Sequence, residues 1–188
     1  MRLSSIIQSF ICDFGAAWKY WHNTIIPTVS SDGFSAVINR RHKYPFRVGL
    51  FPGVSCMFQC SFCGRNYGAR YDNKTRFSGN DVFRAMMASA PNNDPNRFYF
   101  SGGLEPLTNI EIGSLISYSK EIGLKTSMYT NGYMLTPKLL NKNPGILELE
   151  MLRLSLYGLD ERSAVSVTGK KGSYDRVIQN VSDYIQLK

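Results

Sequence analysis

The chain contains no apolar run approaching the roughly 20 residues that a bilayer-spanning helix needs. Its N-terminus lacks a continuous apolar segment followed by a small-residue cleavage site. Membrane-spanning and secreted classes are set aside on these grounds, and a cytoplasmic protein is expected. Histidine is nearly missing: His22 and His42 stand alone, without paired spacing, so a two-cysteine, two-histidine zinc site has no evident source of ligands. Cysteine is sparse as well, 4 in 188 residues, too thin for the disulfide framework of a small secreted scaffold. Charged residues amount to 19% against 43% hydrophobic, an ordinary globular balance, and the length suits one domain with a sizeable core. The net charge of +8 favours anionic partners such as a sugar phosphate or a cofactor carboxylate. No nucleic-acid-binding module accompanies that charge, so nucleic acid is not expected as a partner.

What cysteine there is, is concentrated. Cys56, Cys60 and Cys63 form a C-x3-C-x2-C set in the segment CMFQCSFC. Thiolate sulfur is soft and suits iron–sulfur clusters, and three thiolates can hold three irons of a [4Fe-4S] cube. The fourth iron is then left for another ligand, and an open position is what distinguishes catalytic from structural metal sites. A closed zinc site is the competing reading; it would have to recruit a distant fourth ligand, because no second C-x2-C pair exists. Cys12 reads most simply as a buried apolar side chain.

The first residues, 1–45, form an N-terminal extension. Leu3, Ile6, Ile7, Phe10, Ile11, Phe14, Trp18 and Trp21 recur by threes and fours, the mark of an amphipathic helix. Its polar face carries few charges, which favours packing on the domain over lying on a membrane. From 46 to 188 short apolar runs alternate with helical patterns, the signature of βα units and a parallel sheet. Strands are expected over Phe46 to Phe51, Arg97 to Ser101 and Lys125 to Tyr129, and in a run ending at Tyr157. A helix is expected near Ser78 with that serine as its cap. The next carries Ile112, Leu115, Ile116 and Ile122 on one face and is stopped by Gly123. A third starts at Thr136-Pro137, and a last one from Ser173 turns Val177, Ile178, Val181 and Ile185 inward. The unusual motifs all follow strands: the cysteines, then Gly102-Gly103-Leu104-Glu105-Pro106, then Thr130-Asn131-Gly132, then Ser155 with Tyr157-Gly158. Loops at strand C-termini converge on one face of a parallel α/β architecture, so one cavity lined by all four is expected. Each motif has a plainer reading. Asn-Gly is a common turn, Arg153 between two leucines could face a neighbouring helix, and Gly169-Lys170-Lys171-Gly172 departs from a phosphate loop and reads as a solvated turn with a possible anion contact.

With these residues in place, the chain resembles the radical S-adenosylmethionine (SAM) superfamily. The cysteine loop after the first strand has an aromatic residue, Phe62, just before its last cysteine, and the Gly-Gly-x-Glu-Pro turn follows the next strand. The resemblance implies parallel βα repeats forming a partial TIM-type barrel. It implies a [4Fe-4S] cluster on Cys56, Cys60 and Cys63, and SAM as second cofactor, cleaved reductively to a 5'-deoxyadenosyl radical that takes hydrogen from a small polar or peptide substrate. By the same resemblance Phe62 lies against adenine, Gly102 and Gly103 meet the methionine amino end, Glu105 helps hold that end, and Ser155 contacts ribose. Asn131, Thr130 and Arg153 are weaker candidates. A one-electron reductant such as flavodoxin or ferredoxin is implied as a partner. Relatives continue through two further strands, the fifth carrying Gly-x-Ile-x-Gly, which is not found here. The expectation is therefore a chain truncated after its fourth βα unit, or one completed by a partner, with Leu152, Leu154 and Leu156 near an open edge. A non-catalytic metal- or cluster-binding module, or an inactive fragment, is the alternative.

Overall fold

The computed structural model describes residues 17–18, 21–26, 35, 38–39, 44–45, 47–64, 74–92 and 94–188. The chain divides into two compact units, Met1–Phe46 and Arg47–Lys188. In the first, Trp21–Ile25 winds as a π-helical turn, and the His22 and Trp18 rings lie 4.0 Å apart. Trp18 and Trp21 are both more than half exposed. The rest of the expected apolar stripe, together with Cys12 and His42, lies outside the described residues.

The second unit is built on four short parallel strands, β1 (Val48–Leu50), β2 (Phe98–Phe100), β3 (Ser127–Thr130) and β4 (Met151–Leu154). They lie side by side in sequence order, as expected of consecutive βα units. Register aligns Leu50 with Phe100, Phe100 with Met128 and Met128 with Leu152. The first three of these are buried and form an apolar row across one face. Side chains alternate along a strand, so Gly49, Tyr99, Tyr129, Arg153 and Ser155 occupy the other face.

Among the described residues of this unit the α-helices are α1 (Asn80–Ala88), α2 (Ile112–Glu121), α3 (Pro137–Lys142), α4 (Glu161–Thr168) and α5 (Ser173–Leu187). In α2, Ile112, Leu115 and Ile116 are fully buried; each such side chain contributes about 1.5–3 kcal/mol by leaving water. Ile122 departs from that expectation: it caps the helix and is partly exposed. Gly123 follows with a φ of 81°, the left-handed stop that glycine permits. Helix α3 starts as its sequence indicates, with the Thr136 hydroxyl oxygen accepting from the Leu139 amide at 3.2 Å. Ser78 does not cap α1. Gly79 holds the cap position without a side-chain bond, and Asn80 ties the helix start down instead, accepting from Asn109 at 2.8 Å and donating to Glu111 at 3.0 Å.

The fourth unit holds two helices where one is expected. Asp160 accepts from the Ser163 amide at 2.7 Å, starting α4, and Gly169 ends it with a φ of 66°. Helix α5 buries Ser173, Val177, Asn180 and Tyr184, while Ile178 and Ile185 are exposed. Positions 177, 180 and 184 share a stripe at steps of three and four. Ile178 and Ile185 each sit one residue, or roughly 100°, beyond it.

Candidate active site

Glu105 organises the strand ends. Its side chain is buried and three donors converge on its carboxylate: the Thr130 hydroxyl at 2.5 Å, the Asn131 amide at 2.9 Å and the Leu107 amide at 3.2 Å. The turn after β2 is thereby fastened to the turn after β3. Burial pushes the Glu105 carboxyl above its ordinary range, although all three donors pull the other way. The same turn holds the cysteine loop. The Glu105 amide donates to the Ser55 carbonyl at 3.0 Å, and the Thr108 hydroxyl oxygen accepts from the Val54 amide at 3.0 Å. Gly53 makes this crossing possible, because a Cβ there would stand 2.8 Å from the Glu105 carbonyl oxygen.

The far side of the cysteine loop is clipped to the end of α4. Gln59 and Ser61 donate their amides to the Thr168 and Val167 carbonyls at 2.9 and 3.0 Å. Between these anchors, Phe58 is buried against the edges of Tyr133 and Tyr157. The Gly169–Gly172 turn makes no phosphate loop. The amides of Gly172 and Tyr174 point at the Glu161 carboxylate, so a side chain of this protein already occupies the anion position.

The expected site residues, all but Arg153, meet at one cavity of about 260 Å³ on the C-terminal side of the strands. Cys56, Cys60 and Cys63 line it opposite Gly102, Gly103 and Glu105. Asn131, Ser155 and Phe62 complete the set. Gly102 has a φ of 138°, which only glycine adopts without strain, so this turn exposes its backbone to the cavity. Asn131 points its side-chain amide at the Cys56 sulfur, 3.6 Å away, and the Cys63 thiol lies 3.9 Å from the Gly103 carbonyl. Phe62 is two-thirds exposed, its ring 5.5 Å from that of Tyr157. Tyr129 and Tyr157 also line the cavity; Tyr157 was expected there with the Ser155 motif, and Tyr129 was not singled out from sequence. Their alternation with Arg153 and Ser155 along neighbouring strands is the signal that points to them.

The donor set fits a cluster. Burial, with the neighbouring thiols adding to it, pushes Cys60 up to about 11, and burial raises Cys56 as well. Both are neutral thiols at pH 7, and binding to iron would release their protons. Glu105, the carboxylate at the cavity, is fully engaged by its own chain, so the ligands offered there are sulfur alone. Among the described residues no three His, Cys, Asp or Glu side chains converge closely enough to grip a single metal ion. A four-iron cluster asks for something different, one thiolate for each of three irons.

Comparison with known proteins agrees with this geometry. Residues 50–187 match the model of the Radical SAM superfamily. Over 174 residues the chain is 42% identical to dTDP-4-amino-4,6-dideoxy-D-glucose ammonia-lyase of Streptomyces venezuelae, covering 93% of this chain and 36% of that enzyme. Among solved structures, Streptococcus suis SuiB bound to S-adenosylmethionine superposes with a TM-score of 0.58 at 18% identity, covering 82% of this chain and 33% of SuiB. SuiB bound to its precursor peptide SuiA gives a TM-score of 0.60 at the same identity and coverage; at that identity the likeness is one of fold. The chain thus spans little more than a third of the length of that curated relative. The family match takes in β2, β3 and β4 whole and every residue that lines the cavity, and on that ground the chain belongs to the radical SAM superfamily, enzymes that use a [4Fe-4S] cluster and S-adenosylmethionine.

Proposed function

We propose that residues 46–188 form a core that cleaves SAM reductively and directs the resulting radical at a small polar substrate. The observation that carries this reading is the convergence of the cysteine loop and the Gly-Gly-x-Glu-Pro turn on one cavity at the strand ends. When bound, the cluster and SAM supply a 5'-deoxyadenosyl radical able to abstract a substrate hydrogen. The protein's part is to hold, orient and exclude water. Cys56, Cys60 and Cys63 hold three irons. Gly102 and Gly103 offer backbone groups to the methionine end, Phe62 lies against adenine, and Ser155 and Asn131 add polar contacts. Glu105 serves the methionine end through the two turns it braces. The substrate is a small polar or anionic molecule, or a peptide. The similarity to an enzyme named for a dTDP-linked amino sugar favours the anionic metabolite, in keeping with the net charge of +8.

Anaerobic reconstitution tests the reading. About four irons and four sulfides per chain are expected, falling sharply in Cys60→Ala. Dithionite and SAM should then yield 5'-deoxyadenosine, with none from Cys63→Ala. One tightly held zinc without sulfide would assign a structural metal site. A full cluster that never cleaves SAM would leave a cluster-binding protein.

A further inference from the structure

The inner face of the sheet carries a cation that the cofactors do not account for. Arg153 lies on β4 two residues before Ser155, hence on the same face and roughly 7 Å further down the strand. Its Nη1 donates to the Tyr129 hydroxyl, and its guanidinium carbon stands 5.0 Å from the centre of the Tyr129 ring. Tyr99 packs edge-on against Tyr129 at 5.8 Å, with Gly49 leaving room for the Tyr99 hydroxyl. Tyr129 on β3 thus holds the guanidinium, and Tyr99 on β2 backs the ring that does so. Its Nε is directed at the Met151 sulfur, 3.1 Å away, and among the described residues no carboxylate stands within ion-pair distance of it. Arginine has five donors in a planar fork, so most of this fork is unspent, held against Tyr129 and exposed. Tyr129, which holds it, lines the cavity.

We propose that Arg153, braced by Tyr129 and Tyr99, anchors an oxyanion of the substrate, phosphate or carboxylate, at the inner end of the cavity. The inference rests on the radical SAM reading above and deepens it. The cysteine and Gly-Gly loops take the cofactors at the strand ends, and the anion is gripped one step deeper, so the sheet face itself selects the substrate. A planar guanidinium suits such a group because it can donate two parallel hydrogen bonds.

Calorimetric titration of the reconstituted protein with inorganic pyrophosphate, and separately with malonate, tests the anchor. Binding should weaken about tenfold or more in Arg153→Gln, be partly recovered in Arg153→Lys, and weaken about threefold in Tyr129→Phe, which keeps the ring and removes the hydroxyl that holds the fork. Lys138→Gln, an exposed site on α3 that loses the same charge, should change it less than twofold. Tighter binding of pyrophosphate assigns a phosphate, and tighter binding of malonate a carboxylate. Unchanged binding in Arg153→Gln, or an equal loss in Lys138→Gln, overturns the proposal. So does an Arg153→Gln protein that loses affinity for SAM in the same proportion, which would place the guanidinium on the cofactor. Release of 5'-deoxyadenosine by the unaltered protein is measured in parallel, so a failure of SAM cleavage is read separately from a failure of the anchor.

Discussion

A buried carboxylate with three donors pointed at it is a joint, and Glu105 is the joint of this site. It fastens the turn after β2 to the turn after β3 and so sets where Asn131 stands relative to Cys56. Glu105→Gln would turn one acceptor oxygen into an NH2 donor. The Thr130 hydroxyl can rotate to accept from it, but the amides of Asn131 and Leu107 cannot. We expect urea denaturation to show a loss of about 1–3 kcal/mol, with less iron retained after reconstitution; wild-type values for both would show that neither turn depends on this carboxylate. Glu105 was legible in sequence as part of the Gly-Gly-x-Glu-Pro turn, and so were the cysteines, because motif residues are fixed by spacing along the chain. Gly53 and Thr108 were not. Their importance arises where two distant segments cross, and nothing in the local sequence marks that crossing.

At the level of elements, α4 is the least anticipated and among the more consequential. Its run ERSAVSVT is poor in strong helix formers, and its start and stop signals, Asp160 and Gly169, are easily taken for loop residues. Yet its last carbonyls clip the cysteine loop. Bonds from the Ser163 hydroxyl and amide hold the Asp160 carboxyl below its ordinary value of 3.8. A lowered folded-state value means stabilisation that is present above 3.8 and disappears as pH falls through the folded value. Wild type should therefore exceed Asp160→Asn in melting temperature at pH 7, and the gap should close as pH falls below 3.8 and through the lowered folded value. A gap independent of pH would show that the neutral cap is what matters. Helix α5 teaches a related point. Its apolar residues suggested a face containing Ile178 and Ile185, but Asn180 is buried in their stead because its side-chain amide donates to the Gly132 and Tyr133 carbonyls, each at 2.9 Å. A polar side chain that satisfies an inward-facing turn outranks the hydropathy pattern there.

Across the whole molecule, the order and pairing of the strands were legible from the alternation of apolar runs and helical patterns, since each βα unit is a local, repeated decision. What each edge meets was not, because exposure depends on the final assembly. Among the described residues β4 is paired on one side alone; Met151, Leu156 and Leu159 are exposed on or beyond it, Leu159 by 88%, and Leu152 and Leu154 are half-buried. Unpaired strand edges beside apolar side chains invite association. Light scattering at increasing concentration should report species larger than a monomer, and Leu159→Lys should reduce them; a monodisperse monomer at all concentrations would mean that this edge is already protected. The fastening of the cysteine loop also has a history in time. Its partners Thr108, Asn131 and Thr168 all come later in the chain, Asn131 by 75 residues. At about 5–20 residues per second on the ribosome, that interval alone lasts roughly 4–15 s. Three thiols therefore emerge into the cell well before the scaffold that will seat them exists, and during that delay they are open to oxidation and to stray metal. Delivery of iron and sulfide has to wait until α4 has been synthesised and folded, so a later-made part of the core decides when the earlier-made ligands become usable.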